Sequence, residues 1–113
     1  MMDTPETETA YFALLRAREE AEQLRAYHDY LTTEAQRLRR NQAEGRALND
    51  TVERRYRRMF GPNDQSLNEV ITERLALIDD ELLRLPARID AADAFVVSCE
   101  TQYHTLKDAP DVP

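Results

Sequence analysis

The sequence predicts an all-α protein built as a long antiparallel helical hairpin, a coiled coil that dimerises into a four-helix bundle. Three observations carry that prediction. Alanine, glutamate, leucine and arginine dominate the 113 residues, with two glycines and no tryptophan, and that is the composition of long helices. Two apolar seams recur at alternating spacings of four and three, the mark of helices that bury one stripe each. A single cluster of turn residues, Phe60-Gly61-Pro62-Asn63-Asp64, separates the seams.

The elements follow in order. Thr4, Pro5 and Glu6 read as an N-cap, a first-turn proline and an acid suited to the positive end of a helix dipole, so a helix starts near residue 5. Its seam runs from Ala10 through Leu14, Ala17, Ala21, Leu24 and His28 to Leu31, Ala35 and Leu38, and continues through Gln42, Gly45 and Asn49 to Val52, Tyr56 and Met59. The polar and small residues in the middle of that run allow a break near 44–50, where Asp50 and Glu53 sit at capping-box spacing around Thr51 and Val52. After a turn at 61–65, Ser66 and Glu69 form an S-x-x-E capping box for a second helix, expected over 67–107. Its seam is Ile71, Leu75, Ile78, Leu82, Leu85, Ile89, Ala92, Val96, Cys99, Tyr103 and Leu106, with a kink expected near Pro86. Residues 108–113 read as a frayed tail, and 1–113 as one domain.

A turn centred between Asn63 and Asp64 sets the register of the hairpin. It places Leu31 against Val96, Leu24 against Tyr103, Ala35 against Ala92 and His28 against Cys99 in the core, with Arg25 opposite Glu100 and Arg46 opposite Asp79 on one flank. The same register brings the weak 42–49 stretch of the first seam level with Pro86, so both arms are expected to bend there.

A second apolar stripe lies off the seam. Val70, Leu77, Leu83, Ala87, Ala91, Ala94 and Val97 follow the far side of the second helix, while Phe12, Leu15 and Tyr30 lie off the first seam. Two helices have little core for their length, and covering such a stripe, at about 25 cal/mol per Å2, is the expected remedy. A homodimer or a helical partner is therefore predicted.

Charge is unevenly placed. The formal net charge is −7, yet residues 37–58 hold eight arginines against Glu44, Asp50 and Glu53. Arg54, Arg55, Arg57 and Arg58 fall within five positions, more cation than capping a last helical turn requires. Together with Val70, Leu77, Leu83 and Val97 they are the candidate partner-binding residues. An acidic protein surface is the expected counterpart, with nucleic-acid phosphate as the alternative. The run Asp79-Asp80-Glu81 supports a third reading, an acidic inhibitor that mimics phosphate in a partner's nucleic-acid groove.

Enzymatic chemistry finds no support in the motifs. Ser66 and Ser98 lack an evident base, and no G-x-G-x-x-G, Walker A or H-E-x-x-H string occurs. His28 and Cys99 supply two inward ligands per chain, short of a metal site, so neither metal nor cofactor is expected. The one cysteine makes no internal disulfide, the longest apolar runs are too short to span a membrane, and no basic-then-apolar leader opens the chain. The sequence thus predicts a cytoplasmic, non-enzymatic interaction module: an adaptor, assembly chaperone or regulatory subunit.

Overall fold

Thr4 caps the first helix. Its Oγ1 accepts a hydrogen bond from the Thr7 backbone N–H at 3.1 Å and lies 2.8 Å from the Thr7 hydroxyl, which is itself buried. Pro5 follows at the first helical position, where a missing N–H costs nothing, and Glu6 and Glu8 place negative charge in the first turn. From this start α1 runs over Pro5–Phe60, and α2 over Leu67–Lys107. The computed structural model describes the backbone of residues 4–60 and 67–109, and the side chains of 4–44 and 67–109. The described residues form a two-helix, all-α fold. The Ser66 cap and the 61–65 turn lie outside them.

The α2 helix is continuous through Pro86, which lies exposed inside it. Its C-terminal turn carries the basic residues His104 and Lys107, with the Lys107 cation at the negative end of the dipole, and the Asp108 N–H closes the last turn on the His104 carbonyl at 2.9 Å.

The chain divides into two compact units. Unit 1 comprises Met1–Tyr27 and Leu85–Pro113; unit 2 comprises His28–Arg84. The division falls beside Pro86 on α2, but on α1 it falls between Tyr27 and His28, not in the polar 42–49 stretch expected to share that level.

Within unit 1 the helices are antiparallel. Arg18 pairs with Glu100 and Arg25 with Asp93, so seven residues forward on α1 correspond to seven back on α2. Ala10, Leu14, Ala17 and Ala21 are buried from α1, and Leu85 and Cys99 from α2. Leu85 has no exposed surface. Leu14, Ala17 and Cys99 form one cluster, with Val96 and Tyr103 packed against it. Alanine at three of the four buried apolar positions of α1 in unit 1 leaves room for helix backbones to approach closely.

Within unit 2, Leu31, Ala35 and Leu38 are buried from α1, and Leu75 and Ile78 from α2. One flank is closed by Arg39, whose guanidinium spans both carboxylate oxygens of Asp79 at 2.6 and 2.7 Å. The other carries Glu34, with Arg74 Nε at 3.6 Å. Where the seam turns polar, Gln42 donates to Asn68 Oδ1 at 3.2 Å and to Thr72 Oγ1 at 3.0 Å, so its amide replaces apolar packing with hydrogen bonds to α2.

These contacts correct the register expected from the turn. Glu100 takes Arg18 instead of Arg25, and Asp79 takes Arg39 instead of Arg46, each one heptad earlier on α1. Cys99 packs with Leu14 and Ala17, whereas the expected partner, His28, belongs to unit 2. Val96 and Tyr103 likewise join Leu14 and Ala17 in place of Leu31 and Leu24. From His28 to Leu14 is a slip of two heptads. The flank pairs thus lie one heptad, and the partners of Cys99 two heptads, earlier on α1 than expected. The physical reason is that a seven-residue repeat looks the same after any slip of seven, and the turn used to choose among slips lies outside the described residues.

Candidate functional site

The surface features that distinguish this fold are three: aliphatic side chains on the outside of α2, an aromatic recess on unit 1, and ion pairs on the flanks of each unit.

On α2 the sequence-predicted stripe is solvent-facing wherever the large residues fall. In unit 2, Leu77 and Leu83 are 72% and 81% exposed, and Val70 and Leu67 are also exposed. In unit 1, Val97 and Phe95 are exposed, along with Ala87, Ala91 and Ala94. The opposite side of the same helix supplies the buried and half-buried seam, so α2 is apolar on two sides. α1 also leaves Tyr11, Phe12, Leu15, Tyr27 and Tyr30 exposed, but its other outward positions are largely charged or polar. A helix apolar on two sides is normally one that is covered on both.

The aromatic recess lies where Tyr11 and Phe12 of α1 meet Tyr103 of α2 in unit 1. Tyr11 and Phe12 are edge to face with centroids 5.8 Å apart, Tyr11 and Tyr103 are tilted at 5.5 Å, and Glu8 completes the lining. His104 stacks near Tyr103 at 5.5 Å, and Lys107 Nζ stands 5.8 Å from the Tyr103 centroid. Two other open grooves on unit 1 are lined chiefly by Thr9, Ala13 and Gln102, and by Glu20, Gln23 and Arg88. None of the three is lined by a histidine, cysteine or serine.

The flanking charges are held in pairs. Glu34, whose side chain is only 11% exposed, accepts two 2.9 Å hydrogen bonds from Arg37 Nη2 and faces Arg74. The Arg37 bond, with the positive field of both guanidiniums, holds its carboxyl below the ordinary glutamate value despite the opposing effect of desolvation, and Glu34 in turn raises Arg37. In the Asp79-Asp80-Glu81 run, Asp79 holds Arg39 and Asp80 holds Arg84 at 3.0 Å.

Of the remaining sequence-predicted site residues, Arg54, Arg55, Arg57 and Arg58 lie in α1, and their side chains fall outside the described residues. Cys99 is buried and in no disulfide, and His28 is half-buried with Nδ1 3.7 Å from Asp29 Oδ1. Among the described residues no group of three or more histidine, cysteine or acidic side chains gathers in metal-binding geometry, and no helix is long and apolar enough to cross a membrane.

Phe95 and the Tyr11–Tyr103 contact were not singled out from the sequence. Phe95 precedes the seam residue Val96 and was hidden by it; Tyr11 follows the seam residue Ala10, the flanking position that also carries Arg18 and Arg25 one and two heptads later. That shared position was the available signal. No protein-family model, curated protein or solved structure matches the chain, so the functional reading rests on this geometry.

Proposed function

We propose that the chain is a non-enzymatic protein-interaction module, an adaptor, assembly chaperone or regulatory subunit, that self-associates through the outward face of α2. The observation that carries this reading is the exposure of Leu77 and Leu83 on a helix whose other side is already packed. In this assembly two hairpins form a four-helix bundle with coiled-coil packing, α2 inside and α1 outside, and a further partner is recognised by the arginine-rich stretch that holds Arg54, Arg55, Arg57 and Arg58. A lone buried cysteine, Cys99, suits the cytoplasm.

Sedimentation equilibrium tests it. The wild-type chain is expected to be a dimer, and Leu77→Glu with Leu83→Glu a monomer of unchanged helicity, because both side chains are solvent-facing within the chain. A wild-type monomer at concentrations up to hundreds of micromolar would overturn the reading.

One observation favours a second reading. Eight arginines against three acids over 37–58 suit a nucleic-acid backbone as well as an acidic protein. Salt separates the two: phosphate binding weakens steeply as salt rises, whereas helix docking through aliphatic side chains persists.

A further inference from the structure

We propose that the recess bounded by Glu8, Tyr11, Phe12 and Tyr103 is a binding site for a quaternary ammonium group. It lies wholly within unit 1, is an open recess of about 440 Å3, and is lined by three aromatic rings and one carboxylate. The site is separate from the outward face of α2, and it stands whether or not the chain self-associates.

The rings are set at angles. The Tyr11 and Phe12 planes meet at 60° and the Tyr11 and Tyr103 planes at 46°, so the Tyr11 ring is angled to both of its neighbours instead of stacking flat on either. A cation within about 6 Å of a ring centroid is attracted by the negative face of the π-system. The protein already uses this attraction at one wall: Lys107 Nζ is 5.8 Å from the Tyr103 centroid. Phe12, 64% exposed, offers a second ring open to solvent.

Electrostatics point the same way. Glu8 is the only charged side chain in the lining, and it takes part in none of the described ion pairs. Unit 1 contains eleven acidic residues and five basic ones, which concentrates a charge of −6 out of the chain's −7 in the unit that carries the recess. Such a field raises the local concentration of cations.

The chemistry of the lining then selects among cations. A primary ammonium brings three N–H donors and a guanidinium five, and each donor must find an acceptor once water is displaced. The recess supplies one carboxylate and two phenol oxygens among ring carbons. A quaternary ammonium has no donors to satisfy, and its methyl groups suit aromatic faces.

The test is an NMR titration of the full chain with tetramethylammonium chloride, against sodium chloride at matched ionic strength. Saturable shifts are expected at Glu8, Tyr11, Phe12 and Tyr103 with the first salt alone. Phe12→Leu and Glu8→Gln should each weaken binding about tenfold, and because both side chains are exposed, circular dichroism should show unchanged helicity. A peptide bearing trimethyllysine, titrated alongside its unmodified form, identifies the source of the cation. Tighter binding than tetramethylammonium assigns the recess to a methylated protein segment, and equal affinity assigns it to a free small cation. Shifts of the same size in sodium chloride, or undiminished binding by both variants, would overturn the proposal.

Discussion

Unit 1 and unit 2 are built from the same two helices and the same seven-residue seam, yet they close in different ways. On the α1 side unit 1 buries Ala10, Ala17 and Ala21 with one leucine, and gathers its apolar weight in the Leu14, Ala17 and Cys99 cluster under Tyr103 and Val96. Unit 2 buries Leu31 and Leu38 around one alanine, then relies on polar contacts: the Gln42 amide to Asn68 and Thr72, the Arg39 Nη2 shared by both Asp79 oxygens, and the Glu34 clamp. Charge differs as well, since unit 2 has eleven acids and ten bases and unit 1 eleven and five. The contrast teaches that a heptad seam tolerates either solution. Small residues stabilise by close approach, and polar residues serve at a seam position when each donor and acceptor finds a partner.

The largest effect expected from this contrast is at Leu85. With no exposed surface, Leu85→Ala removes a fully packed side chain and should cost about 2–5 kcal/mol in denaturant unfolding. Amide exchange should accelerate more in unit 1 than in unit 2; equal acceleration in both would break the comparison by showing one cooperative block.

Next comes Gln42. If its amide replaces apolar packing in unit 2, Gln42→Ala loses two side-chain hydrogen bonds and should cost about 1 kcal/mol, with faster exchange at Asn68 and Thr72. No change in stability would mean that water satisfies those groups equally well.

Acid should act on unit 2 through Glu34. Its carboxyl is held below the ordinary value by Arg37 and Arg74, so the stability it contributes is complete above about pH 4.3 and is lost as pH falls through the lowered value. Glu34→Gln should therefore flatten the acid limb of a pH–stability curve; an unaltered limb would remove Glu34 from the account. The smallest effect is expected at the unit 1 flank, where Arg25→Ala breaks an exposed pair with Asp93 and should cost about 0–1 kcal/mol in thermal unfolding, less at high salt.

Much of this fold was legible in the residues. Thr4, Pro5 and the acidic first turn located the start of α1, and the four-three spacing identified the faces that Leu14, Leu31, Leu75 and Cys99 bury. Val70, Leu77, Leu83 and Val97 were read as outward-facing from the same periodicity, and they are exposed. The register was not legible from spacing, because every slip of seven keeps each residue on its own face. A signal was nonetheless present. On α1 the flanking position carries Arg18, Arg25, Thr32, Arg39 and Arg46, and on α2 it carries Asp79, Pro86, Asp93 and Glu100. The observed alignment pairs three arginines with three acids, whereas the one chosen from the turn pairs two. The charge pattern of the two flanks therefore distinguishes the slips that the apolar spacing leaves equivalent. The aromatic recess was harder to read, since it needs Tyr11 and Tyr103 brought together by that register.

The central claim is therefore the pairing of the two seams, and the single native cysteine allows a direct test. Leu14→Cys places a second thiol in the cluster that holds Cys99, and His28→Cys places one where the turn-based register would put it. After mild oxidation and denaturation, thiol titration and intact mass should show that Leu14→Cys has closed an intramolecular disulfide and that His28→Cys retains two free thiols. Closure in His28→Cys with none in Leu14→Cys would contradict the register, and with it the recess built on it.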